Sequence, residues 1–339
     1  MTGSLRTQRL SEQRFGQAMA IAAAVLVACT AIALWAGYER ITIPRLLHDD
    51  VARSVFFRLR LPRVIMAGII GATLAAVGAA LQALFRNPLA EPLTLGVSGG
   101  GSLGAGIAIA LGWGARIAGT PVVFIAAFAG SLASISLVYR IARSGAVVAP
   151  GSLLLAGIVV NLIANAAVVL IEYTIDPSRS LEILRWLVGT LDVVGFSLIW
   201  QMLPFVLPGW LVLLLVARDL HLLAVDEESA ASLGVNVRRS ERIVYLATSL
   251  LVGVTVSVGG SIGFVGLVVP HIARLLFGQD TRFALPASFF LGAGFLMLAD
   301  ALARSVMGQT ELPVGAVTGL VGGPFFLWLM RRRQRYVML

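Results

Sequence analysis

Apolar residues run in blocks of about 20, the length that carries a helix across a bilayer, along nearly the whole chain. Short polar or Gly/Pro-rich interruptions separate them. Reading from break to break predicts ten spans, near 17–37, 62–84, 93–111, 119–141, 151–174, 194–216, 243–259, 262–277, 283–302 and 314–330. The third and eighth blocks are short and rich in glycine, "GVSGGGSLGAG" and "GGSIGFVG", and are expected to be broken or half-crossing. Irregular backbone at that depth survives only where protein or a water-filled cavity surrounds it, which points to a translocation path.

Composition agrees with this pattern. Hydrophobic residues make up 58% and charged residues 13%, and the mean hydropathy is +0.91. Soluble domains hold about 45–50% and about 25%. No polar stretch is long enough for a second core, so residues 1–339 are read as a single membrane domain.

The net charge of +9 comes from arginine alone, since the sequence has no lysine. A phosphate-binding P-loop requires one, so any ATP chemistry has to come from a partner and the chain is not read as an enzyme. Cys29, the only cysteine, lies inside the first apolar run and is read as a small core residue. Arg6, Arg9 and Arg14 precede a run too long for a usual signal peptide, which is therefore read as a retained span. His48, His221 and His271 are scattered and form no metal-ligand pattern. Basic charge is explained by membrane topology, and no nucleic-acid partner is expected.

Short arginine-rich loops face the cytoplasm. With both termini inside, the inner loops and tails hold Arg86, Arg140, Arg143, Arg218, Arg238, Arg239, Arg242, Arg274, Arg282 and the "RRRQR" of 331–335, besides the N-terminal arginines. The segment between the first two spans breaks the rule with Arg40, Arg45, Arg53, Arg58, Arg60 and Arg63. Those arginines either snorkel to lipid phosphates or meet an acidic partner on the outer face. Glu172, Asp176, Glu182 and Asp192 lie at span ends or beside "ILRWLVGTL", which is read as a short helix on the outer face. Midplane acids would favour a proton-coupled transporter; acids at span ends weaken that alternative.

Three stretches resemble the FecCD-type permeases, membrane subunits of ATP-binding cassette importers for iron-siderophores, haem and cobalamin. They are "RLRLPRV…GAALQALFRNPLAEPLTLGVSGGGSLGA" (58–105), "HLLAVDEESAASLGVNVRR" (221–239), and "GGSIGFVGLVVPHIARLLFGQD" (259–280) followed by "LADALARSVMGQTELPVGAVTGLVGGPFFLWL" (298–329). The resemblance implies an all-α polytopic membrane protein with about ten transmembrane helices per subunit and a cobalamin-importer-like permease fold. It further implies a homodimer in the bacterial inner membrane, two cytoplasmic ATPase subunits that hold ATP-Mg, a periplasmic binding protein, and no cofactor in this chain. An iron chelate is the expected cargo, with cobalamin as the alternative.

The same resemblance implies site residues. Arg60, Arg63 and Arg304 match the positions that dock the binding protein, although Asp300 offers Arg304 a private i,i+4 partner. Asn87 and Leu89 match an inner gate, with Gly151 and Ser152 as its second element. Independently, Asn87 before Pro88 predicts that the helix ends there in a tight turn. In the polar stretch 217–242, Asp226 is placed to cap a short helix over Glu227, Glu228, Ala231 and Ser232 that runs through Leu233 and is stopped by Gly234. The resemblance makes this the helix that couples to the ATPase, and small Ala230, Ala231 and Ser232 are expected to let that partner approach. His271 is read as structural. Gly315, Gly319 and Gly323 form a smooth ridge for helix packing, within the subunit or across the dimer.

Overall fold

Hydropathy blocks become helices because lipid offers the backbone no partner, so each crossing segment must bond to itself. The computed structural model describes residues 2–37, 42–117, 119–144, 147–148, 150–307 and 311–337. Side chains are described within 15–37, 42–117, 119–143, 151–307 and 311–328, and at 331. Arg40, the side chains of Arg6, Arg9 and Arg14, and those of 144–150 and 332–335 lie outside these ranges.

Among the described residues fifteen α-helices follow one another: α1 (Thr2–Trp35), α2 (Ile43–His48), α3 (Asp50–Val55), α4 (Leu61–Leu84), α5 (Val97–Ala110), α6 (Val122–Ala142), α7 (Pro150–Glu172), α8 (Pro177–Val188), α9 (Ser197–Leu215), α10 (Ala217–Val225), α11 (Glu227–Ser232), α12 (Val237–Gly259), α13 (Val265–Phe277), α14 (Thr281–Val306) and α15 (Val314–Val337). Among the described residues, seven apolar helical stretches are long enough to span, and α5, α13 and the apolar part of α15 are shorter. Together they occupy the ten predicted blocks.

α4 is the core helix. Nearly all of its residues are buried, and it packs on α14, α13 and α12. Glycines allow the closest contacts: a Cβ on Gly71 would lie 2.2 Å from the Gly292 carbonyl oxygen, and one on Gly78 would lie 1.9 Å from that of Gly266.

The sequence reading starts this span at Pro62. The helix in fact begins at Asp50 and runs through a π turn, Phe56–Arg60, into α4. Pro62 has no N–H to donate to the carbonyl of Arg58 four residues earlier. That oxygen instead accepts from the backbone N–H of Gly195, 2.8 Å away, so the helix continues past the proline. Arg53, Arg58 and Arg60 therefore sit on a helix and not in a loop.

Both broken blocks behave as their glycines predict. The third is a 3₁₀ turn, Pro92–Leu95, followed by Gly96 at φ +85° and then α5. The eighth opens as irregular chain through Gly260, at φ +67°, to Phe264 and then enters α13. The surface helix predicted near 183–191 is α8. It starts earlier, at Pro177, is N-capped by Asp176, and ends before Gly189, so "GTL" is not helical.

Candidate functional site

Three places in the bundle carry the polar chemistry. At one end, the last turns of α1 and α14 meet the start of α4. Asp300, fully buried on α14, lies at the centre: Oδ1 accepts from Nε of Arg63 and Oδ2 from Nε of Arg304, each at 2.8 Å. Arg304 also donates to the carbonyls of Ala36 and Ala33, both 3.1 Å away, and Arg60 donates to that of Leu34 at 3.3 Å. The final carbonyls of a helix have no partner inside it, and guanidinium groups are suited to them in both charge and geometry. Arg60, Arg63 and Arg304 thus fasten α1 to the core pair α4 and α14.

These three arginines come together at this end, where they are engaged inside the protein. Arg60 and Arg304 are each 7% exposed, and the Arg63 side chain 12%. The anticipated Asp300–Arg304 pair is present, and Arg63 shares its carboxylate. Arg63 also reaches Glu311, 2.5 Å from Nη1, whose side chain is 47% exposed.

The second place is where the two broken spans cross. Several of the backbone groups freed there find side-chain partners. Asn161 on α7 donates to the Leu93 carbonyl at 2.8 Å and accepts from Gly99 N–H at 2.7 Å. Ser134 donates to Gly96 O at 2.6 Å and Ser131 to Val97 O at 3.2 Å. Gln82 donates to Gly266 O at 3.0 Å, and Ser98 donates to Ser261 Oγ at 2.8 Å. Glu91 accepts from the Phe264 N–H at 2.5 Å. Phe264 has φ +68°, a left-handed conformation that costs a bulky residue about 1–3 kcal/mol. The expected irregular backbone is therefore enclosed by protein.

Neither Glu91 nor Phe264 was singled out in the sequence, although both lie inside motifs quoted above. The Gly315 to Gly323 ridge packs within the subunit. A Cβ on Gly315 would meet the Val188 carbonyl at 1.9 Å, and Gly319 and Gly323 face the Phe264 ring.

The third place is the opposite end of the bundle. The chain turns after α4 as the Asn-Pro pair predicts: Asn87 Oδ1 accepts from Leu89 N–H at 2.9 Å, and Leu89 is exposed. Gly151 and Ser152 open α7 and are exposed, and nothing lies within 4 Å of a Cβ on Gly151. α7 instead touches the 92–95 turn through Gly157, where a Cβ would lie 2.2 Å from the Thr94 carbonyl oxygen.

α11 is the expected short helix. Asp226 accepts from both the backbone N–H and the hydroxyl of Ser229, each at 2.8 Å, and Gly234 has φ +87°. Ala231, Ser232, Leu233 and Gly234 are exposed, but Ala230 is fully buried and belongs to the core, not to the approach surface. Glu227 pairs with Arg86 at 3.5 Å, tying α11 to the turn after α4. Beside it, a cavity of about 1140 Å³ is lined by Gln82, Arg86, His221, His271 and Arg274, among others. Among the described residues no group of three or more His, Cys, Asp or Glu is placed to hold a metal ion.

The Ser229 hydrogen bonds hold the Asp226 carboxyl below its usual pKa. A depressed folded pKa means that the cap is present above the ordinary carboxylate pKa and is lost as pH falls through the lower value. Asp226→Ala is expected to unwind α11, read as a several-fold loss of hydrogen-exchange protection at the Ala230 and Leu233 amides. Asp226→Asn is expected to preserve it, because Asn caps as well as Asp. Equal protection in wild type and Asp226→Ala would show that the cap does not hold this helix.

Ten apolar helical segments among the described residues, two of them entered through irregular chain that crosses inside the protein, with a small exposed helix at one end, define a multi-span membrane protein. The chain belongs to the FecCD transport family, which matches residues 25–332. It is 39% identical over 294 residues to the hemin transport system permease of Yersinia pestis, covering 84% of this chain and 86% of that one. It is 40% identical over 286 residues to the cobalamin import system permease of Halobacterium salinarum, covering 84% of this chain and 75% of that one. A solved structure described as an inward-facing conformation of a metal-chelate type ABC transporter superposes with a TM-score of 0.81 at 30% identity, covering 94% of this chain and 99% of that one. The protein is thus a permease component of an ABC importer.

Proposed function

We propose that two copies of this chain form the inner-membrane conduit for an iron chelate, a ferric siderophore or haem. A periplasmic binding protein delivers the cargo and two cytoplasmic ATPase subunits, which carry the ATP-Mg, drive its passage. The observation that carries this reading is family membership at 39% identity to a hemin permease. A cobalamin cargo is the second reading, favoured by 40% identity to a cobalamin permease. Both cargoes are bulky metal chelates.

In this reading both termini are cytoplasmic, and the exposed face of α11, Ala231 to Gly234, seats in the ATPase. Nucleotide-driven closure is transmitted to the spans as rigid-body motion. The turn at Asn87 and Leu89, with Gly151 and Ser152 on the start of α7, forms the inner gate between the two copies. The arginine end then faces the binding protein. Arg63 is the docking group that can exchange partners, because half-exposed Glu311 holds one of its nitrogens. Arg60 and Arg304 set its position through α1 and Asp300.

Proteoliposomes holding this chain, its ATPase and its binding protein are expected to accumulate labelled ferric siderophore or haem only when all three components and ATP are present. Uptake of labelled cobalamin alone selects the second reading. Accumulation by this chain alone, driven by a proton gradient, overturns both.

A further inference from the structure

We infer that Glu91 and Phe264 form a wedge that makes the turn after α4 and the last span, α15, move as one body. The inference rests on the proposed importer function for its consequence, but its geometry stands apart from that reading. Glu91 lies four residues after Asn87, on the segment that closes the turn and enters the 3₁₀ helix at Pro92. Its Oε1 accepts from the backbone N–H of Phe264 at 2.5 Å, across 173 positions of sequence. That residue is one of two non-glycine residues with positive φ among those described. A bulky residue stays in that conformation only when its surroundings impose it.

The imposed conformation sends the ring into α15. A Cβ on Gly322 would lie 2.5 Å from Phe264 Cβ, and those on Gly319 and Gly323 would lie 4.0 and 3.7 Å from ring carbons. Gly322 therefore clears the seat for the ring while Gly319 and Gly323 line it at contact distance, and a carboxylate from the other side locks the backbone that carries it. Gly266, two residues on, is held by Gln82 from α4, so the wedge cannot slide along the break. Because the acceptor alone is needed, Gln at position 91 preserves the lock while Ala removes it. Glu91 is a positioning residue in this scheme; it does not contact cargo.

Two measurements on the full chain test this. In the reconstituted importer, Glu91→Ala is expected to keep hydrolysing ATP while cargo moved per ATP falls about tenfold, the equilibrium shift produced by leaving one buried donor, the Phe264 N–H, unsatisfied. Glu91→Gln is expected to retain the wild-type ratio. Separately, spin labels at Leu89→Cys and Leu320→Cys in a Cys29→Ala background report the distance between the turn and α15. It should be narrowly distributed with Glu or Gln at 91 and broad with Ala. A wild-type ratio or a narrow distribution in Glu91→Ala overturns the wedge, as does equal damage by Gln and Ala. If Glu91→Ala does not reach the membrane, Phe264→Gly carries the test, since glycine accepts the backbone conformation and lacks the ring; an unchanged distribution there overturns the wedge. Absence of ATP-driven uptake by the wild type counts against the proposed function, and the spin-label distances still decide the wedge.

Discussion

Asp300→Ala is expected to be among the most destabilising single substitutions in the chain, costing about 3–5 kcal/mol, the range seen when one partner of a buried ion pair is removed. Its carboxylate is inaccessible to solvent and bonds Arg63 and Arg304 together. Alanine leaves buried Arg304 without its counter-ion and leaves Arg63 with Glu311 alone. Arg304 is only 7% exposed, so water compensates little, and the group that orients its bonds to Ala33 and Ala36 on α1 is lost. Asn in place of Asp keeps the shape but offers one of the arginines an N–H where it needs an acceptor. The rim of the same network behaves differently: Glu311→Gln is half-exposed, and pairs of that kind contribute about 0–1 kcal/mol.

Thermal unfolding of the detergent-extracted protein measures this. Equal midpoints for wild type and Asp300→Ala would remove Asp300 from the role of hub. The triple replacement Arg63→Met, Asp300→Leu, Arg304→Met adds a sharper contrast. Exchanging a whole buried ionic cluster for apolar groups is often neutral for stability. Restored stability with lost binding-protein affinity in that variant separates the two roles of these arginines, as a fastening of α1 and as a docking surface.

The sequence made the ten-block bundle legible because lipid imposes one rule on every crossing segment, and hydropathy reports that rule directly. Local signals also worked where the physics is local. Asp226, Glu227 and Gly234 define α11 within nine residues, and Asn87 with Pro88 defines a turn. Non-local events left no trace. Pro62 looks like a helix start, and only the Gly195 N–H, far along the chain, explains why the helix runs through it. The i,i+4 spacing revealed Asp300 with Arg304, but the Arg63 bond spans 237 positions and no pattern announces it. Glu91 reads as an ordinary loop acid beside a proline, and a phenylalanine with positive φ has no sequence signature, since the residues that favour it are Gly, Asn and Asp. The glycine ridge of α15 was visible, but the ring that fills it was not.

Gly78→Ala is the second substitution with a large expected effect, although it adds a single methyl group. In an open helix that change stabilises by about 1 kcal/mol through backbone entropy. Here the new carbon would stand 1.9 Å from the Gly266 carbonyl oxygen and 2.6 Å from its carbonyl carbon. Both partners are backbone, so no rotamer change relieves the clash. Retreat of α13 is blocked as well. Gln82 holds the Gly266 carbonyl at 3.0 Å, and Pro92 fills the space behind, with its Cδ 2.4 Å from where a Cβ on Gly266 would be. The helices α4 and α13 must therefore separate, opening the crossing of the two broken spans. Overpacking of this kind costs about 1–3 kcal/mol, and a clash confined by backbone on both sides belongs at the upper end. Gly106→Ala on α5 is the matched control, buried and helical but with its nearest neighbours at 3.8 to 3.9 Å, an ordinary contact distance. In thermal unfolding of the extracted protein, Gly106→Ala is expected at or above the wild-type midpoint and Gly78→Ala well below it. Coinciding midpoints for the two variants would mean that α4 and α13 are free to move apart and that their backbone contact does not hold the crossing together.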